Sequence, residues 1–123
     1  MHRILLLTLL SCITVFSFAQ SVSETIEPAM KSGNSKALSQ KFAQQLDLSL
    51  PGHDNTVQKA QAEKLLKNFF QKHPPTSYQT MHQGESKSGL TYMIGALKTS
   101  KGDFRVSIYL RGEVIEQLRI QSE

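Results

Sequence analysis

Tryptophan is absent, cysteine occurs once, and aromatic residues make up 7% of the 123 positions. Each scarcity excludes something. One thiol, Cys12, can neither close an intramolecular disulfide nor assemble a cysteine-rich metal site. Four prolines and seven glycines are too few for a collagen-like or low-complexity chain. Charged residues make up 20% and the formal net charge is +4, a mild excess spread along the sequence rather than gathered into a basic arm. The uncharged run from Ile4 to Phe18 covers 15 residues, short of the roughly 20 that cross a bilayer. What remains is an ordinary globular composition, 39% hydrophobic, long enough for a single domain with one modest core.

Met1-His2-Arg3 opens the chain with positive charge, the apolar run follows, and Ser17-Phe18-Ala19 sets small residues three and one positions before a cut. This pattern predicts a secretory signal over residues 1–19, cleaved between Ala19 and Gln20. The mature protein, residues 20–123, is then a single exported domain, periplasmic or extracellular. A rival lies in Leu9-Leu10-Ser11-Cys12, which resembles a bacterial lipobox and would lipidate Cys12, the one route to a membrane. Leu10 suits that motif poorly and the apolar run before it is short, so cleavage after Ala19 is the expectation. Cys12 leaves with the signal, and stability must come from packing alone.

Ser21-Val22-Ser23-Glu24 has the form of a capping box, and Val22, Ile26, Ala29 and Met30 recur at helical spacing. Pro28 has no amide proton, so a kink there or a fresh start near Glu27 is expected. Gly33 stops this helix, and Asn34 caps a short second one carrying Ala37, Leu38 and Phe42. Leu46, Leu48 and Leu50 alternate with Asp47 and Ser49, a strand with one buried face; Pro51 to Asn55 reads as a turn. Ala62, Leu65, Leu66, Phe69 and Phe70 then form the apolar stripe of a long amphipathic helix that ends at His73-Pro74-Pro75.

Four β segments follow, about 76–84, 90–98, 103–111 and 113–121, joined by short Gly/Ser/Lys-rich turns. Phe104, Val106, Ile108 and Leu110 alternate with Arg105, Ser107 and Tyr109, and the last segment places Val114, Leu118 and Ile120 inward. Helices preceding an antiparallel meander, with no βαβ alternation, predict an α+β fold: two short helices, a strand, a long helix and a four-stranded meander, the helices on one face of a curved sheet.

That order resembles the cone-shaped folds related to nuclear transport factor 2 and the cystatins. Asn68-Phe69-Phe70, His82-Gln83-Gly84, Tyr92-Met93-Ile94-Gly95, Phe104-Arg105-Val106 and Leu118-Arg119-Ile120 resemble, in order and spacing, domain-of-unknown-function family 4783, small and mostly secreted bacterial proteins. The likeness spans about Ile26 to Gln121. It implies a fold and export, and brings no activity, ligand or partner.

No G-x-G-x-x-G, Walker-type lysine loop, H-E-x-x-H or G-x-S-x-G occurs, and His53, His73 and His82 lack metal-ligand spacing, so neither a metal nor a cofactor is expected. If Tyr78 faces inward, period-two alternation turns His82 inward too, and Tyr92 and Glu116 on later strands join them. These four form the candidate ligand pocket. His82 tuned by Glu116, with Tyr92, is the weak candidate for acid/base catalysis. The plainer and favoured reading leaves His82 bonded to backbone near Gln83-Gly84 and Glu116 in water at the rim. On the opposite face, Met81, Met93, Leu97, Tyr109 and Ile115 form an apolar set that reads either as a homodimer surface or as the mark of a bulge that buries some of them. Arg105, Arg111 and Arg119 share that face. Nucleic acid is not an expected partner, given the modest charge and export.

Three functions are compatible with these features. The preferred one is a non-catalytic module that binds an unidentified small ligand or a periplasmic protein. A small isomerase, cyclase or hydrolase-like enzyme built on His82 is the second, and a structural or assembly protein acting through the outer sheet face the third.

Overall fold

The computed structural model describes residues 18–123, with side-chain environments from Glu24 onward; residues 1–17 of the expected signal at 1–19, Cys12 among them, lie outside the described residues. The element order is α1 (Phe18–Ser32), α2 (Ser35–Ser39), β1 (Phe42–Leu50), β2 (His53–Gln58), α3 (Lys59–Lys72), β3 (Pro75–Glu85), β4 (Thr91–Thr99), β5 (Gly102–Arg111) and β6 (Val114–Ser122). No described helix is long and apolar enough to cross a membrane.

Local chemistry explains most of the boundaries. α1 runs through Pro28 instead of breaking there, and the Ser32 hydroxyl donates back to the Pro28 carbonyl at 2.9 Å. Gly33, at φ +68°, ends it: its amide bonds the Met30 carbonyl and that of Asn34 the Ala29 carbonyl, the paired Schellman pattern. The Asn34 side chain then accepts from the Ala37 amide at 3.0 Å and caps α2. Phe42 is not on α2 but opens β1. The expected turn at 51–55 is only Pro51-Gly52; His53–Gln58 pairs back on β1 as an extra strand. Of its six residues only Val57 is buried, which hides the alternation.

The strands form one six-stranded sheet in the order β2-β1-β6-β5-β4-β3, antiparallel throughout except for the β1–β6 pair, which is parallel. This is the α+β cone: a curved, unclosed sheet with the helices on one side. α1 packs over β3 and α3 over β1 and β2. The inner face is filled by Leu46, Leu48, Met93, Leu97, Phe104, Val106, Ile108, Leu110, Ile115, Leu118 and Ile120 against Ile26, Met30, Leu66, Phe69 and Phe70. Each such side chain contributes about 1.5–3 kcal/mol on leaving water.

Two expectations about side-chain parity are corrected by register. Thr99 pairs with Gly102 across a two-residue turn, so odd positions on β4 face even positions on β5. Met93 and Leu97, expected outside, are therefore inside at 1% and 0% exposure, while Tyr92, expected inside, is half-buried on the outer face beside Ile94. In β6 the register shifts between Tyr109 and Leu110, leaving Glu116 as the extra residue. Ile115 is thereby buried opposite Leu110, and Val114 is exposed.

Candidate functional site

The four residues expected to line one pocket are divided between the two faces of the sheet. Tyr78 is inside, opposite Leu97. A second shift between Thr80 and His82 makes Met81 the extra residue of β3 and turns His82 to the outer face, opposite Ile94, where it is exposed. Tyr92 is also outside, its ring 6.3 Å from that of Tyr109. Glu116 accepts from Arg111 Nε at 3.1 Å on the bulge. His82 on β3 and Glu116 on β6 are three strands apart, about 14 Å between backbones, so they form no acid/base pair.

Tyr78 has a different setting. The hydroxyl end of its ring lies against Gly95, where any β-carbon would collide with it. The Tyr78 hydroxyl and Thr80 Oγ1 are buried without hydrogen-bond partners among the described residues. Burial pushes the Tyr78 phenol above its ordinary value of 10.0; the nearby Thr80 hydroxyl pulls slightly the other way, although the two oxygens do not meet hydrogen-bond geometry, and Glu27 adds to the rise. Outside it, Glu24, Glu27, Pro28 and Lys31 of α1 border an open depression of about 470 Å³.

The better-furnished concavity is on the outer face, where sequence reasoning did not place one. Across neighbouring strands, Thr56, Asp47, Gln117, Tyr109 and Tyr92 stand opposite one another in one row, and Asp54, Ser49, Arg119, Ser107 and Ile94 in the next. The polar ends of these rows line an open groove of about 490 Å³. Thr56 donates to Asp47 Oδ1 at 2.6 Å. Arg119 Nε is buried and has no partner among the described residues, and neither Asp47 nor Asp54 is ion-paired with it. The groove thus offers carboxylates and hydroxyls from β1 and β2 and a guanidinium and an amide from β6. Outward alternation of Asp47 and Ser49 was the only sequence signal for it.

Of the expected apolar outer set, Met93, Leu97 and Ile115 belong to the core; Met81, at 55% exposure, and half-buried Tyr109 remain outside, joined by Tyr92 and Ile94. Arg105, Arg111 and Arg119 are not core residues, and Arg105 and Arg119 stand on the outer rows. No group of metal-ligating side chains gathers among the described residues.

A family model described as "Domain of unknown function (DUF4783)" matches residues 23–122. A crystal structure of a DUF4783 protein from Bacteroides uniformis is 31% identical, with a TM-score of 0.74, covering 81% of this chain and 95% of that one. A second, from Bacteroides fragilis, is 25% identical, with a TM-score of 0.73, covering 80% and 96%. An NTF2-like protein of unknown function from Cytophaga hutchinsonii shares the fold at 11% identity and a TM-score of 0.61, covering 89% and 93%. No curated protein matches the chain.

Proposed function

Since the chain belongs to the DUF4783 family and carries an NTF2-like fold, we propose that it is an exported, non-catalytic module that binds a small hydroxyl-rich ligand, a sugar or polyol, in the outer groove. The observation that carries this reading is the orphaned Arg119 Nε beside the carboxylates of Asp47 and Asp54. A buried donor left unpaired costs about 1–3 kcal/mol, and a ligand oxygen relieves it once the guanidinium turns towards the groove. Mixed donors and acceptors on opposite walls suit vicinal hydroxyls, which do both. Tyr109, opposite Gln117, extends the row with an aromatic surface against which a sugar's C–H face can rest. The helix-facing side is packed with apolar side chains, which favours binding on the outside.

Amide NMR spectra of the protein titrated with neutral mono- and disaccharides test the proposal. Saturable shifts at Ser49, Gln117 and Arg119 that vanish in Arg119→Met support it; a panel that leaves those three residues unmoved refutes it.

A second reading is favoured by the Tyr92–Tyr109 pair with Ile94 and Met81: the same face docks a second copy of this chain, the aromatic patches packing together. Sedimentation decides it, and a monomer at high micromolar concentration discards it.

A further inference from the structure

Apart from that groove, α3 and the β1–β2 turn border a separate, half-open pocket of about 190 Å³. Leu65, Asn68, Phe69 and Lys72 follow one another at i, i+3, i+4 and i+7, so a single stripe of α3 forms one wall. Leu50, Pro51 and His53 form the facing wall. Phe69 is fixed in place by stacking on His73 at 4.5 Å and by an edge contact with Phe104 at 5.2 Å. The body of the cavity is thus apolar and rigid. Its polar groups are cationic or neutral, and no carboxylate lines it.

His53 Nε2 is buried without a partner among the described residues. His73, by contrast, is committed: its Nδ1–H donates to the Phe69 carbonyl at 3.1 Å, since that oxygen can only accept. His53, with one imidazole nitrogen unsatisfied, therefore lines an apolar pocket together with the exposed Lys72 and Asn68. The carbonyl end of α3 carries a partial negative charge of about half a unit, which opposes an anion here. The Phe69 carbonyl is already occupied by two donors of His73, and Lys72 brings a full positive charge. Attraction wins.

We propose that this cavity binds a small carboxylic acid with a compact apolar body, aromatic or branched aliphatic. The body rests between Leu50, Leu65 and Phe69, and the carboxylate pairs with Lys72 and, on a turn of the His53 ring that uncovers it, accepts from Nε2–H. Size agrees with this class: a cavity of roughly 150 Å³ holds benzene, so the present volume takes one ring and one carboxylate. No residue of the outer groove takes part, so the two sites stand or fall separately.

The test is an amide NMR titration of the purified protein with sodium benzoate, repeated with benzamide, which keeps the ring without the charge, and with acetate, which keeps the charge without the ring. The expected result is saturable shifts at Leu65, Phe69 and His53 with benzoate, and weaker binding of both analogues. Lys72→Met, a change at an exposed position that leaves the core intact, weakens benzoate about tenfold, the usual loss for one charge-assisted contact. His53→Gln, which keeps a donor on a different frame, weakens it less than His53→Ala. Absence of saturation at those residues, benzamide binding as tightly as benzoate, or an unchanged Kd in Lys72→Met each overturns the proposal.

Discussion

Gly95→Ala is the sharpest test of how the interior is assembled. A β-carbon at position 95 would stand 2.7 Å from Tyr78 Cε1, where ordinary contact begins near 3.4 Å, and closer still to the hydroxyl end of the ring. Displacing the ring disturbs its packing, since Tyr78 is buried between α1 and the β4 backbone. Forcing it aside is an overpacking change, worth about 1–3 kcal/mol. Against this stands the entropy that alanine saves over glycine within a strand, about 0.5–1 kcal/mol. The net expectation is a loss of about 1–2 kcal/mol, or roughly 4–15 °C in Tm for a domain of this size. Equilibrium urea unfolding, with m-values compared, is the assay. The decisive measurement is the second background. In Tyr78→Leu the obstructing ring is gone, and Gly95→Ala becomes neutral or mildly stabilising, which gives a coupling comparable to the single-mutant loss. A Gly95→Ala protein as stable as the parent, or one equally destabilised in both backgrounds, refutes the packing argument.

Two further outcomes follow from the same core. The Tyr78 phenol titrates above 10.0 in the folded state because burial disfavours the phenolate. Its contribution is therefore intact below pH 10 and lost as pH rises beyond it, so the parent loses stability relative to Tyr78→Phe only above that pH in paired urea titrations; parallel profiles across pH 10 contradict the assignment. Met93→Ala should cost about 2–5 kcal/mol, whereas Val114→Ala, at an exposed position, should stay within about 0.5 kcal/mol; similar effects for the two in thermal melts overturn the observed inside and outside of the sheet.

How far the sequence could be read depended on whether one local signal sufficed. β5 alternates cleanly, the α3 stripe is unambiguous, and Gly33-Asn34 both ends α1 and caps α2, so these needed nothing beyond their own residues. β4 is apolar on both sides: Tyr92, Ile94 and Ala96 against Met93 and Leu97. Its own pattern does not choose a face. The two-residue turn Ser100-Lys101 does, because pairing Thr99 with Gly102 sets odd residues of β4 over even residues of β5. The bulges at Met81 and Glu116 carry no comparable mark, and with the turn register that puts Tyr92 outside they separate His82 and Glu116 from Tyr78. The outer groove escaped for a topological reason. Its walls meet only through the parallel β1–β6 pair, which joins the beginning of the folded chain to its end.

An unclosed sheet leaves two rims, and each is a row of peptide groups that invites a strand from another molecule. Among the described residues nothing pairs beyond β2 or β3. The β2 rim is short and carries His53, Asp54, Asn55 and Thr56, a charged and polar fringe. The β3 rim is longer, but Pro75 withholds a donor and the extra residue at Met81 breaks its straight run. The irregularity that turns His82 away from Tyr78 therefore also acts as a guard against self-templated polymerisation, and a smoother β3 would be a stickier one.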